Sequence, residues 1–275
     1  MRKLLSAGFL RLRKAMVFWL VLLFMLGLGL FLVVLEYLDI VRYHEYNNFD
    51  QGLFAYITFI GICCAVFCSS FLGTEYSDNT FRNKIMVGHK RRDIYFTNLI
   101  VSLAASFLMF AAFLLAYCPL GTLVSNPSEI PMGAILSYLA ISLFTIAAIT
   151  SVFNMLAMLI PYKSVSSVVC VLFFFLLLAA ALVIRARLDA PEYVVNYFLS
   201  VDGVDMSEPE PNPRYLQGMA REIYQFFFDL LPSGQAIQIA SREVEHPLRV
   251  ILCSVGIVIV TNISGARAFC RKDLR

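Results

Sequence analysis

Residues 52–93 read GLFAYITFIGICCAVFCSSFL and then GTEYSDNTFRNKIMVGHKRRD. The first half carries no charge, whereas the second holds five cations, three acids and one of the three histidines. A helix needs about 20 apolar residues to cross the hydrocarbon core of a bilayer. The first half is long enough to cross, and the second is too polar to follow it in. The same test along the chain gives six runs: 17–35, 52–72, 94–118, 132–160, 164–184 and 248–266. The last begins with Leu248 and Arg249, whose long stem can carry its charge to the interface. A mean hydropathy of +0.76 agrees with this count. So does a charged fraction of 15%, against about a quarter in soluble domains. The expected fold is an all-α integral membrane protein of six spans, forming one domain over 1–275.

Orientation follows from the cations, which concentrate on the cytoplasmic side. With both termini inside, the inner segments hold 15 basic residues against four acids, and the outer segments hold seven against 15. All six lysines are then inside. The basic start and first apolar run resemble a signal peptide, but the run is too long and no small-residue cleavage pattern follows, so it reads as a retained span. The seven cysteines avoid the long outer loop, which argues against a disulfide framework.

Residues 1–16 place Leu4, Leu5, Phe9, Leu12, Ala15 and Met16 at helical spacing beside five cations. That pattern predicts an amphipathic helix lying in the inner interface. Residues 185–247 form a long outer loop whose stretch VDGVDMSEPEPNP is acidic and proline-rich, as a solvated excursion would be. Beyond it, apolar residues from Leu216 to Leu231 recur at helical spacing. Pro232, Ser233 and Gly234 then break the helix, and Gln235 opens a second stretch reaching Glu245. Two arrangements fit this pattern: a helical hairpin dipping into the outer leaflet, or an amphipathic helix lying on the surface.

Much chemistry is missing. There is no G-x-x-x-x-G-K-[ST] loop to cradle nucleotide phosphates, no H-E-x-x-H, and the three histidines are scattered. The runs' cores lack Asp, Glu, Lys, Arg and His, so they offer neither an activated nucleophile nor a proton relay. Cys63, Cys64 and Cys68 read as small, soft groups at a helix contact. Asn98, Asn154 and Asn262 are the polar residues that either line a path or join helices. Gly27, Gly29, Gly61 and Ala65 would let helices approach closely, including across a dimer. These absences point away from an enzyme and toward a protein driven by energy from elsewhere.

The polar segment 73–93 is expected to turn at Gly73, place Glu75 and Asp78 near the start of a short helix, and stop at Gly88. A loop merely touching anionic headgroups would explain its cations, but not its acids or its aromatic residues, Tyr76 and Phe81. The segment resembles the region between spans two and three of ABC-2 type transporter permeases, approximately G-x-E-Y-S-D-G-T-I-R-N-K, then G-H-x-R and I-Y. The matching residues are Gly73, Glu75, Tyr76, Ser77, Asp78, Thr80, Arg82, Asn83, Lys84, Gly88, His89, Arg91, Ile94 and Tyr95. Asn79 stands where glycine is frequent and Phe81 where isoleucine is; asparagine also tolerates left-handed backbone. LPSGQ, residues 231–235, is similar to a break before the last span of these permeases.

The resemblance implies a permease half in a bacterial cytoplasmic membrane, paired with a second copy or a paralogue and with two ABC ATPase subunits. The segment would be the coupling helix, contacting the ATPase through Glu75, Tyr76, Asp78, Thr80, Arg82, Asn83, Lys84, Gly88 and Arg91. ATP and magnesium would sit on the ATPase and no cofactor on this chain. Lipids would surround it, and no nucleic-acid partner is expected. The cargo would be amphipathic: a peptide, an antibiotic or a lipid. An ATP-independent scaffold or sensor and a secondary transporter stay open as alternatives.

Overall fold

A computed structural model describes every residue except 45, 195–196, 201–202, 207–208 and 273–275. Helix α1 (Arg2–Lys14) leads into α2 (Met16–Tyr43), and a short α3 (Phe49–Leu53) precedes α4 (Tyr56–Ser77). A short α5 (Thr80–Met86) separates α4 from α6 (Arg91–Val124), and α7 (Met132–Leu159) and α8 (Lys163–Leu188) follow. Two nested antiparallel pairs come next, β1 (Tyr193–Val194) with β4 (Glu210–Pro211) and β2 (Tyr197–Ser200) with β3 (Gly203–Met206). The chain closes with α9 (Gly218–Leu230), α10 (Pro232–Ser241) and α11 (Pro247–Arg271).

Helices α2, α4, α6, α7, α8 and α11 are long and apolar enough to cross a membrane, so the chain is a multi-pass membrane protein by length and composition. Charge did not stop the helices where the uncharged runs end. Five of the six overrun their expected C-terminal limits, and the second begins at Tyr56 because Gly52 and Leu53 belong to α3. Where charges follow, as in α2 and α4, the reason is their local satisfaction, whereas α6 runs on through Pro119 and meets no charge. Glu36 stays buried in α2 because the Tyr117 hydroxyl donates to it at 2.8 Å and the Ser125 hydroxyl at 2.6 Å. In the acidic excursion β3 pairs with β2 just before it and β4 with β1, while residues 201–202 and 207–208 of that tract lie outside the described residues.

Helices α4 and α7 sit centrally. Helix α4 packs on α7 and α8, α7 on α11 and α6, and α2 lies along α6. The small residues named for a dimer are mostly spent inside the chain. A Cβ on Gly29 would meet Ala116 at 2.9 Å, one on Gly61 would meet the Phe174 ring at 2.6 Å, and Ala65 is buried; only Gly27 faces open space. Polar groups on α7 bond across to its neighbours. Tyr56 donates to Ser142 at 2.6 Å, Thr150 to Ser106 at 2.9 Å, and the Asn262 amide to Ser151 at 3.2 Å. Cys64 joins this group, 3.3 Å from Ser106.

The loop between α8 and α11 holds the two expected helices, α9 and α10. Helix α9 lies against α8 with Ile223, Phe226 and Phe227 exposed, whereas α10 is inserted among α4, α7 and α8. Pro232, Gly234 and Gln235 are all buried. The break falls at Leu231 rather than at Pro232 to Gly234, which form the first turn of α10, and a Cβ on Gly234 would collide there with the Phe228 carbonyl oxygen. The Gln235 amide donates to the Asp229 carbonyl at 2.8 Å and its oxygen accepts from Thr145 at 3.1 Å and Ser254 at 2.8 Å. Helix α10 ends at Ser241 rather than Glu245, because Arg242 turns left-handed at φ +62°.

Candidate functional site at the basic end of the bundle

At one end of the bundle lie α1, α5, the 160–162 turn and the end of α11, and with them all six lysines. The polar segment folds here in two parts. Gly73 does not turn the chain, and Glu75 does not open α5; both lie in α4, which continues to Ser77. Gly73 instead allows close approach, since a Cβ there would sit 2.8 Å from the Lys163 Cγ. The turn comes at Asn79, with φ of +53°, a left-handed conformation that asparagine tolerates. Helix α5 stops in a paired-bond cap. The Gly88 amide donates to the Ile85 carbonyl at 2.9 Å and the His89 amide to the Lys84 carbonyl at 3.1 Å, with Gly88 at φ +93°.

Glu75 is 1% exposed. It ion-pairs with Arg11 of α1 and, at 2.6 Å, with Lys84 of α5, and the Asn98 amide of α6 donates to it at 3.1 Å. One carboxylate thereby joins four helices. The Arg11 guanidinium lies 3.7 Å from the centre of the Phe71 ring. Burial lowers Arg11 to about 10, partly offset by Asp78, and burial with the nearby Arg11 charge lowers Lys84 to about 8. Two cations facing one carboxylate leave surplus positive charge, and the lysine is where it is relieved.

The neighbouring motif residues hold helix ends. The Tyr76 hydroxyl donates to the Met158 carbonyl, and the Lys272 ammonium donates to the Leu159 carbonyl at 3.0 Å and to the Tyr76 oxygen at 2.8 Å. Together they satisfy carbonyls that the end of α7 leaves without helical partners. Arg91 does the same for α11, donating to the Cys270 carbonyl at 3.2 Å and to that of Lys272. Thr80 donates to the Glu75 carbonyl at 3.1 Å. Phe81 is the buried residue of α5, packed on Tyr76 and Phe269 with ring centres 4.6 and 5.7 Å away.

The motif therefore divides. Glu75, Tyr76, Thr80, Lys84 and Arg91 face inward and fasten helices, while Asp78, Arg82, Asn83 and Gly88 are exposed. Beside the exposed set stand Met86 and Val87, 76% and 78% exposed, which the motif did not mark. Arg11 and Lys272 were missed as well, because neither belongs to the segment. Helix α1 does pack on the bundle, burying Leu4, Gly8 and Leu12, but Phe9 and Met16 of its expected apolar face stay exposed. Asn98, Asn154 and Asn262 are all buried within the bundle, with Asn98 on Glu75 and Asn262 on Ser151. No protein-family model matches the chain, and a search of curated proteins finds no significant relative.

Proposed function

We propose that the chain is the membrane-spanning permease of an ATP-driven exporter of the ABC-2 type, working as a dimer with a second copy or paralogue and with separate ABC ATPase subunits. In this reading the basic end faces the cytoplasm, the membrane is the bacterial cytoplasmic membrane, and the cargo is an amphipathic peptide, antibiotic or lipid. One observation carries the proposal. A short helix is fastened to the spans by Phe81 and by the Glu75–Lys84 pair, yet the helix and its flanks offer Asp78, Asn83, Met86 and Val87 outward. A lever with an apolar tip and a polar rim suits a groove on a partner that pushes and pulls. Glu75 would act through its neighbours, because a buried carboxylate cannot touch the ATPase.

The docking test uses the double variant M86E/V87E. Both side chains are exposed, so the change should leave thermal unfolding of the purified permease unchanged. It should abolish co-elution with the ATPase co-expressed with it, and the ATP turnover that cargo stimulates. If ATPase binding and turnover persist in M86E/V87E, α5 is not the docking element. If cargo movement continues without any ATPase and stops when the proton or sodium gradient is collapsed, the chain is a secondary transporter instead.

A further inference from the structure

A cavity of about 460 Å³ opens at the basic end between the end of α4, α5, the turn joining α7 to α8, and the end of α11. Its walls include Glu75, Tyr76, Arg82, Tyr162, Lys163 and Lys272. The carboxylate of Glu75 is already engaged by Arg11 and Lys84. The Lys272 ammonium gives its hydrogen bonds to two neutral oxygens, on Tyr76 and Leu159. Burial pushes Lys272 down to about 8, as expected for a cation drawn out of water without a counter-charge. Among the described residues neither Lys163 nor Lys272 forms an ion pair. The stem of Lys163 lies at the wall close over Gly73, where a Cβ would sit 2.8 Å from its Cγ. Its amide also opens the first turn of α8, where backbone N–H groups favour negative charge.

The depth of the cavity selects among anions. Leu159 ends one spanning helix and Lys163 begins the next, so the cavity lies where the spans meet the headgroups. Tyr162, 71% exposed at its mouth, is the kind of residue that settles at that level. From the mouth, Val165, Val168 and Leu172 form an exposed apolar stripe along one side of α8. A soluble phosphate would use the cations and leave the stripe idle, whereas a lipid uses both.

We infer that this cavity is a binding site for an anionic phospholipid, with the phosphate between Lys163 and Lys272 and an acyl chain along Val165, Val168 and Leu172. The inference rests on the six membrane-long helices and does not depend on the exporter reading. Basic pockets between spans are suited to such headgroups.

The test is lipid retention by the full chain, measured by native mass spectrometry after release from nanodiscs mixing phosphatidylglycerol and phosphatidylcholine. The wild type should retain phosphatidylglycerol preferentially. K163Q, at an exposed position that the fold tolerates, should weaken that preference several-fold, and K163Q/K272Q should weaken it at least tenfold. K3Q/K90Q, which removes the same charge from the same end, should retain it. The charge-preserving K163R/K272R should retain most of it, which separates a lost site from a lost fold. Unchanged retention in K163Q overturns the proposal, as does equal loss in K3Q/K90Q, which would mean diffuse surface attraction. Displacement of the lipid by equimolar glycerol phosphate overturns it too, since the site would then serve a soluble anion.

Discussion

Two buried carboxylates, one toward each end of the bundle, are held in opposite ways. Glu75 belongs to a spanning helix, and its cations come from the short or peripheral helices α1 and α5. Asp229 belongs to the peripheral α9, and its cation, Arg249, comes from the spanning α11, with Nε 2.5 Å away. Asp229 also accepts from Gln225 at 3.2 Å and Gln238 at 2.9 Å, amides on its own hairpin. The second arrangement is redundant: the hairpin keeps its shape through neutral bonds when the charge is gone. The first is not, because Glu75 is the one anion between two cations, both largely withdrawn from water. At the basic end, then, both ion pairs that tie α1 and α5 to the spans share one carboxylate, beside the apolar packing of Leu4, Leu12 and Phe81.

That contrast is tested most severely by E75Q. Removing one partner of a buried ion pair leaves uncompensated charge, and here it leaves two cations; the expected loss of unfolding free energy is roughly 3 kcal/mol. Mixed-micelle denaturation checks it, and E75Q/R11M/K84M should recover most of the loss, because matched apolar groups replace the whole cluster. If E75Q unfolds like the wild type, Glu75 is not the junction described.

D229N should do much less. Asparagine keeps an oxygen for Gln225 and Gln238, and Arg249, 33% exposed, can turn toward water or headgroups. A loss of about 1 kcal/mol is expected in the same assay. A loss as large as that of E75Q would remove the contrast between the two ends.

The smallest effect is on pH dependence. Lys84 releases its proton near 8 in the folded protein, against 10.5 for its ordinary value. Over that window the unfolded chain binds more protons, so stability rises with pH from about 8 towards 10.5. Thermal unfolding at pH 7.5 and 9.5 should show a modest gain, and K84M should reduce it. A fall in stability over that interval, removed by K84M, would mean that the lysine charge is needed rather than surplus.

The spans were legible because a long run without charge has few other uses, and so was the stop at Gly88, where backbone geometry restricts residue type, whereas the turn expected at Gly73 falls at Asn79. What could not be read was partnership over distance. Nothing around Glu75 announces Arg11, and nothing near Tyr76 announces Lys272, so residues that fasten helices looked like residues that face a partner. Tyr117 and Ser125 likewise hid the length of α2, because only the folded chain brings them to Glu36. The exposed pair Met86 and Val87 followed no pattern until the burial of Phe81 fixed which way α5 faces. The packing of the two helices in the long loop was undecidable for a related reason: the amphipathic run from Leu216 to Leu231 fits a surface helix and a dipping hairpin equally.

The bonds along α7 bear on how this bundle can move. Ser142, Thr145, Thr150 and Ser151 meet Tyr56, Gln235, Ser106 and Asn262 at successive levels, on partners from four different helices. Advancing α7 by one residue swings every side chain through about a hundred degrees and would break all four of these interhelical bonds at once. Helix α7 therefore behaves like a keyed shaft. Intermediate angles lose these bonds together, which favours a change of state that carries its neighbours along or jumps a full notch.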